Sequence, residues 1–339
     1  MDAFSWDTSF LALALLGVAA VLTWLASIPL RNVSIVDSLW GVMIALAAWA
    51  YALAAPQTGP REGLVLLLVS LWMLRLTGYI TWRNHGHGED RRYQAIRARN
   101  EPHFAFKSLY LVFGLQAILA WIIAWPLMAA LAGPEPLGWL DALGVALWLF
   151  GIGFEAVADQ QLARFKANPA NAGRVMDQGL WHYSRHPNYF GEFCIWWGIW
   201  LLALAAGGAW TLISPLLMSF LLLKVSGVAL LEQDIGERRP AYRDYIACTS
   251  AFFPWPPRPA PAGAAIVGGP ISVALPNAVI NAAIVEGPIP EAPPNAGTNE
   301  EGRGVPGGGV NRMDAVAKPP GTDSRRPPPD TTRPRKSSN

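Results

Sequence analysis

The stretch HYSRHPNYFGE, residues 182–192, places many hydrogen-bonding side chains directly before the apolar run FCIWWGIWLLALAA. Asn188 and Glu192 enter that run, where an unpartnered polar group is costly in a membrane. The preceding segment adds two acids and three bases, which are Glu155, Asp159, Arg164, Lys166 and Arg174. Arginines give phosphates forked, charge-assisted hydrogen bonds, and carboxylates and amides bond sugars and carboxamides. This set predicts a ligand that carries phosphates, ribose hydroxyls and an amide.

A second set of reactive side chains lies earlier in the chain. Asp37, in IVDSLWG, lies near one end of an apolar segment, where carboxylates are costly and often functional. Tyr79 and Arg83 are four residues apart and share one helix face. A tyrosine hydroxyl beside a carboxylate can donate to a developing oxyanion, so acid chemistry is predicted here. The alternatives are an ion pair of Asp37 with Arg31 or Arg75, and an interfacial belt for the tyrosine and arginines.

Metal chemistry is not expected. HGHGED, residues 85–90, contains two histidines and two acids, but its glycine spacing favours a mobile loop over a metal site. The two cysteines, Cys194 and Cys248, provide neither a disulfide framework nor a four-ligand site.

These residues are carried by a chain whose composition indicates a membrane protein. Its 339 residues are 52% hydrophobic and 15% charged and include 16 Trp. We predict an all-α polytopic protein surrounded by membrane lipids, with no nucleic-acid partner and no obligate protein partner. About 20 apolar residues span a bilayer. Seven stretches meet that length: 9–30, 33–55, 63–82, 107–132, 138–158, 188–207 and 209–231.

The distribution of basic residues predicts the orientation. Lys and Arg concentrate in the loops between stretches three and four and between five and six. The positive-inside rule then places the N-terminus outside and the C-terminus in the cytoplasm. The first stretch lacks a basic leader and a cleavage site, so it is expected to be retained.

Two domains are predicted. Residues 1–258 form the membrane domain, which ends at the aromatic FFPW. Residues 259–339 hold 15 of the 29 prolines and no Phe, Trp or Tyr. We expect this Pro/Gly/Ala-rich segment to be a disordered cytoplasmic tail, because it cannot bury enough apolar area to offset its chain entropy.

The motif RHPNYFGE, followed by an acidic helix and FFP, resembles two related families. One is the membrane phospholipid and isoprenylcysteine methyltransferases, with their Arg-His-Pro-x-Tyr-x-Gly motif. The other is the steroid 5α-reductases, with Asn-Phe/Tyr-x-Gly-Glu after a Gly-Leu-Phe-like stretch. The spacing from Asp159 through Arg174 and QGLWHY to Asn188 and Glu192 is more similar to the reductases. The resemblance covers about residues 30–258.

The reductase resemblance implies NADPH-dependent reduction of the 4,5 double bond of a 3-oxo-4-ene steroid or a similar flat lipid. Tyr79 would donate the proton to the substrate carbonyl, with Asp37 where the family usually has Glu. Trp40 and Glu192 would complete the substrate site. The cofactor would contact Arg83, Asp90, Arg91, Asp159, Lys166, Arg174, Tyr183, Asn188, Glu192, Asp234 and Arg238. A bacterial inner membrane, with the cofactor site facing the cytoplasm, is the implied location.

Two alternatives stay open. His186 and the RHP motif favour an S-adenosylmethionine-dependent methyltransferase of a lipid or prenylated thiol. Gln233 stands where those methyltransferases usually show a second Glu. The third hypothesis is a lipid or steroid binder without enzymatic activity.

Overall fold

The computed structural model describes residues 6–55, 59–225, 228, 232 and 241–259. This part of the chain is helical and contains no β-strand. The predicted tail, residues 259–339, lies outside these residues apart from Pro259, and so do Asp234 and Arg238.

Five helices are long and apolar enough to cross a membrane, and they coincide with the first five predicted stretches. They are α1 (Trp6–Leu30), α2 (Ile35–Ala54), α3 (Pro60–Asn84), α5 (Phe104–Leu131) and α6 (Trp139–Ala167). The other helices are α4 (Arg91–Asn100), α7 (Leu180–Tyr183), α8 (Pro187–Ala205), α9 (Ala209–Val225) and α10 (Ala241–Cys248).

Helices α8 and α9 occupy the sixth and seventh predicted stretches. α9 is a shorter apolar helix, and α8 begins with Asn188 and Glu192, which lower its apolar character. Seven spans and the orientation of the termini therefore stay predictions. The described residues form an all-helical structure with five helices that are long and apolar enough to cross a membrane.

Two helices contain a wider, π-helical turn. In α5 it covers Leu109–Gly114, and in α9 it covers Leu221–Val225. A π turn inserts one residue into the helical ladder and shifts the side chains that follow it. Farther along, α5 also changes its hydrogen bonding at Ala124, just before Pro126, which lacks a backbone donor.

Glycines bring α6 and α8 into close contact. An added side-chain carbon on Gly151 would lie 2.6 Å from the backbone oxygen of Gly191. One on Gly198 would lie 2.7 Å from the backbone oxygen of Gly144. Each helix thus presents two glycines seven residues apart to its neighbour, and small residues of this kind allow helix backbones to approach within a membrane. Any larger residue at these positions would force the two helices apart.

A buried ion pair joins the beginning of α3 to the beginning of α6. Nε of Arg61 donates to Oδ1 of Asp141 at 2.7 Å, and Nη2 donates to Oδ2 at 3.0 Å. Oδ2 also accepts from the backbone nitrogen of Gly138 at 2.8 Å. Both side chains are at most 3% exposed, so neither charge has water as an alternative partner.

The C-terminal segment packs against the turn that precedes α8. The backbone nitrogen of Arg185 donates to Ser250 O at 2.8 Å, and Ser184 Oγ donates to Phe252 O at 2.7 Å. In the FFPW stretch at the end of the predicted membrane domain, which could act as an interfacial aromatic anchor, Phe252 is buried, whereas Phe253 and Trp255 are exposed. The anchor therefore has one side chain in the core and two on the surface.

Candidate functional site

A cavity of about 360 Å³ lies among α2, α3, α4, α5, α6, α8 and α9. This volume falls within the range of small-molecule pockets, roughly 300–1,000 Å³. Its apolar wall comes mainly from two helices, through Leu111, Leu115 and Leu119 of α5 and Met218, Leu221 and Val225 of α9. Its polar lining consists of Asp37, Arg83, Arg92, Tyr93, Gln116, Glu155 and Glu192. Trp40, a predicted substrate residue, lines the same cavity.

Asp37 forms a hydrogen bond with Tyr93 of α4. The Tyr93 hydroxyl donates to Oδ1 of Asp37 at 2.6 Å, and Arg92 Nη2 donates to Oδ2 at 2.7 Å. Gln116 Nε2 donates to the Tyr93 oxygen at 3.2 Å. The Arg92 guanidinium lies 5.4 Å from the centre of the Tyr93 ring. Asp37 therefore forms its ion pair with Arg92, not with Arg31 or Arg75.

The electrostatic environment keeps the phenol of Tyr93 protonated. Burial raises its pKa well above the ordinary value, and the Asp37 carboxylate raises it further, although Arg92 opposes the shift. Tyr93 is 6% exposed. A protonated phenol beside an apolar cavity is suited to donate a proton to an oxygen atom that gains negative charge.

The turn before α4 fixes this tyrosine in place. Asp90 caps the helix by accepting from the backbone nitrogen of Arg92 at 2.9 Å, and its own backbone nitrogen donates to Ser34 Oγ at 2.7 Å. Glu89 accepts from the backbone nitrogen of Val33 at 2.9 Å and from Arg97 through two bonds of 2.8 Å. These contacts attach α4 to the start of α2, which carries Asp37.

Glu192 is held in the cavity wall by two indoles. Trp72 Nε1 donates to Oε2 at 2.9 Å, and Trp196 Nε1 donates to Oε1 at 2.9 Å. The two rings are perpendicular, with centroids 5.2 Å apart. Glu192 thus has the partner that the sequence left unidentified, and its carboxyl group is fixed between α3 and α8.

Tyr79 belongs to an ionic cluster between α3 and α6 that reaches the apolar cavity through Glu155. Arg75 forms ion pairs with Glu155 and Asp159, both of which are buried. The Arg75 guanidinium lies 5.5 Å from the centre of the Tyr79 ring. Among the residues that the structure describes, the Tyr79 hydroxyl has no hydrogen-bond partner. The predicted pairing of Tyr79 with Asp37 is absent from the hydrogen bonds of this region, because Tyr93 occupies that place.

A second, polar cavity of about 630 Å³ adjoins the first, and Arg83 lines both. It is bordered by the start of α2, the end of α3 and the loop before α4, through Asn32, Ser34, Ser38, Thr81, Asn84, His85, His87, Glu89, Asp90, Arg91 and Gln94. Arg83 Nε donates to Oδ1 of Asn84 at 3.0 Å. Its Nη1 is buried and has no hydrogen-bond partner within the described part of the chain.

Several predicted cofactor residues line neither of the two cavities. Asn188 is buried at the start of α8, but it lines neither of these two cavities. Lys166, Arg174 and Tyr183 are exposed and also line neither cavity. Within the described ranges, no group of three or more His, Cys, Asp or Glu is arranged to hold a metal ion.

A further buried polar cluster surrounds Glu232. Arg185 donates to its carboxylate through Nε and Nη2, each at 2.7 Å, and His186 Nε2 lies 2.9 Å from Oε1. Burial opposes ionisation of Glu232, but the bonds from His186 and Arg185 lower its pKa to about 2. Burial lowers the pKa of His186, although Glu232 acts in the opposite direction. The ring of His186 stacks on Tyr189, a cavity residue, with centroids 5.5 Å apart.

Sequence reasoning did not identify Arg92, Tyr93 or Gln116 as site residues. The sequence did carry a signal for Arg92 and Tyr93. Asp90 before RRY is a typical helix start, and Tyr93 lies about one turn after that capping residue. Gln116 gave a weaker signal as a single amide within an apolar helix.

The fold and the two cavities define a helical membrane protein with a buried polar site at the end of an apolar pocket. The chain belongs to the family described as "Protein of unknown function (DUF1295)", whose model matches residues 23–249. It is similar to an uncharacterized protein of Schizosaccharomyces pombe, C594.04c, with 28% identity over 267 residues. That match covers 68% of this chain and 75% of the relative. No solved structure matches the chain.

Proposed function

We propose that this protein reduces the carbon–carbon double bond of a lipid enone with NADPH. The observation that carries the proposal is the Tyr93–Asp37 hydrogen bond of 2.6 Å at the wall of an apolar cavity. A carbonyl oxygen next to this pair would meet a proton donor in surroundings that exclude water. The family to which the chain belongs is associated with steroid 5α-reductase-like proteins, which supports the same class of reaction.

The polar cavity has side chains that fit a dinucleotide. Arg83 carries a buried nitrogen without a hydrogen-bond partner among the described residues, and it lines both cavities. Among the acids nearby, Glu89 pairs with Arg97, whereas Asp90 and Asp37 share Arg92. Arg83 and Arg91 therefore leave an excess of one positive charge over these three acids. The remaining positive charge suits phosphate oxygens. Arg83 would therefore hold the end of the dinucleotide that adjoins the apolar cavity, and Arg91 would border the opposite part.

When bound, the reduced nicotinamide supplies a hydride to the β-carbon of the enone. Residues of the chain would supply the proton for the carbonyl oxygen. As the carbonyl oxygen gains negative charge, the Tyr93 hydroxyl would turn its proton from Asp37 to that oxygen. Arg92, 5.4 Å from the ring centre, would offset the repulsion between the resulting phenolate and the Asp37 carboxylate. Asp37 would hold the phenol in position, and Tyr93 would regain a proton from solvent after the product has left. The substrate gains two hydrogens in total, one as hydride and one as a proton that finally resides on the α-carbon.

Tyr93 thus replaces Tyr79 as the proposed donor. A donor has to be near the reacting oxygen and next to a group that stabilises its anion. Tyr93 lines the apolar cavity and contacts Arg92 and Asp37. Tyr79 does not line that cavity, and its ring lies 5.5 Å from the Arg75 guanidinium. Glu192 would border the substrate, and Trp40 would contact its apolar part.

Ligand binding tests the proposal before any substrate is known. The purified full chain is titrated with NADPH and, separately, with S-adenosylmethionine, and heat release and thermal stability are recorded. The expected result is saturable binding of NADPH with a rise in melting temperature, since a ligand of the native state stabilises it. Binding of S-adenosylmethionine alone would reject the reductase and favour the methyltransferase.

A further inference from the structure

The apolar cavity is bordered by both π-helical turns of the described chain. Leu111 and Val112 belong to the turn Leu109–Gly114 of α5, and Leu221 and Val225 belong to the turn Leu221–Val225 of α9. π-helical turns are rare and are frequently found at functional sites. Two helices that line one cavity therefore both carry this uncommon turn where they border it.

The same walls reach the outer surface of the helix bundle. Leu111, Leu115 and Val225 line the cavity and are also 36%, 50% and 47% exposed. Such side chains form a wall or rim between the cavity and the surroundings. For α5, which is apolar enough to cross a membrane, those surroundings would be lipid chains. Within the described part of the chain, α5 and α9 therefore form the thin side of the cavity.

Hydrogen bonds join Asp37, Arg92, Tyr93 and Gln116 into one polar group of the cavity lining. Asp37, Arg92 and Tyr93 lie on α2 and α4, whereas the rim on α5 and α9 consists of aliphatic side chains. A molecule that places a carbonyl against Tyr93 would direct its hydrocarbon part toward the rim. The volume of about 360 Å³ lies near the small end for ligand pockets, so a long chain would extend through the rim.

We infer that the substrate is a carbonyl lipid with an extended hydrocarbon chain, which enters from the bilayer between α5 and α9 at the paired π-helical turns. Its far end remains among the lipids while the carbonyl reaches the Tyr93–Asp37 pair. This inference rests on the proposed function for the position of the carbonyl, but the lateral opening rests on the exposed rim alone.

The test uses matched tryptophan substitutions at equally exposed positions. L115W and V225W would obstruct the rim. I118W and F220W serve as controls, because Ile118 and Phe220 are 49% and 54% exposed but do not line the cavity. Binding of radiolabelled long-chain methyl ketones to the full chain in phosphatidylcholine nanodiscs gives a readout that requires no reaction. We expect association to slow about tenfold in L115W and V225W and to change less than about twofold in the controls.

A series of methyl ketones from ten to eighteen carbons tests the open rim independently. If the tail remains in the bilayer, affinity should stay nearly constant across the longer members. A steep loss of affinity with length would overturn the inference, as would equal binding rates in L115W and I118W. Absence of enone reduction with an intact binding pattern would reject the proposed function and leave the lateral opening in place. If enones are reduced but the rim variants bind ketones as fast as the unmodified protein, the proposed function would stand and the lateral opening would be rejected.

Discussion

The hydroxyl of Tyr93 donates a 2.6 Å hydrogen bond to Oδ1 of Asp37, although 56 positions separate the two residues in the chain. The bond joins a helix outside the long apolar segments to the beginning of α2. It forms because Asp90 and Glu89, just before α4, are anchored to Ser34 and Val33, just before α2. A buried phenol is thereby positioned at the wall of the apolar cavity.

Removal of this donor should abolish turnover while leaving nucleotide binding nearly unchanged. In Y93F, the phenol proton is lost but the ring and its packing remain, so we expect kcat to fall about 100-fold or more, as is typical of a lost general acid. The affinity for NADPH should change less than about twofold. Y79F should lose far less activity, because Tyr79 lies beside Arg75 rather than Asp37. A larger loss in Y79F than in Y93F would return the donor role to Tyr79.

Arg83 should contribute more to nucleotide affinity than the exposed basic residues. R83Q removes the guanidinium that lines both cavities, and we expect the Kd for NADPH to rise about tenfold or more. R174Q is the matched control, because Arg174 is exposed and lines neither cavity. Equal losses in the two variants would show that the dinucleotide lies nearer to the loop after α6. Calorimetric titration of both proteins makes this comparison.

Much of the fold was predictable from the sequence, because hydropathy and helix length directly report a membrane environment. The five long helices agree with stretches chosen from apolar runs alone. The ends of the last two stretches were less predictable, since Glu192 and Asn188 lower the apolar character of α8. The glycine contact of α6 with α8 was not predicted, because glycines occur at many spacings in such helices.

Only part of the site could be predicted, for a physical reason. Asp37, Arg83, Glu192 and Trp40 were found because polar or aromatic residues near apolar segments are conspicuous, and they do share a cavity. The sequence analysis named Tyr79 and did not anticipate that Tyr93 is the hydrogen-bond partner of Asp37. Sequence periodicity shows which residues share one face of a helix, but it does not show contacts between helices. Exposed Lys166 and Arg174 could not be distinguished from buried Arg83 by charge alone.

The buried pair of Arg61 and Asp141 should stabilise the fold only as a pair. R61M or D141N alone leaves one buried charge without its partner, which costs about 3–5 kcal/mol in comparable cases. Both variants should therefore melt at lower temperature in detergent than the unmodified protein. The double variant R61M/D141L removes both charges and should recover a large part of the loss. If the double variant loses the sum of the two single effects, the residues act independently and the pair has no such role.

The cluster around Glu232 should make stability depend on acidity. Because the pKa of Glu232 is lowered to about 2 by His186 and Arg185, its contribution is fully present above the ordinary carboxyl value of about 4.3. It is lost as the pH falls from that value toward 2. The lowered pKa of His186 acts in the same sense, since stability declines once unfolded histidine, but not buried histidine, binds a proton below about pH 6.5.

The E232Q variant tests this pH dependence. It should melt well below the unmodified protein at pH 7, and the difference should shrink steadily between about pH 4.3 and pH 2. Melting curves across that range, with the exposed residue variant D177N as a control, provide the comparison. A difference that stays constant with pH would show that the carboxylate charge of Glu232 contributes nothing to stability.

Turnover of an enone tests the central claim most directly. The purified full chain in lipid nanodiscs is mixed with NADPH and either progesterone or a long-chain aliphatic enone, and nicotinamide absorbance is followed together with product mass. The proposal predicts NADPH consumption matched by a gain of two hydrogens in the product, and its loss in Y93F. Binding of NADPH without any reduced product from either enone, or equal rates for Y93F and the unmodified protein, would contradict it.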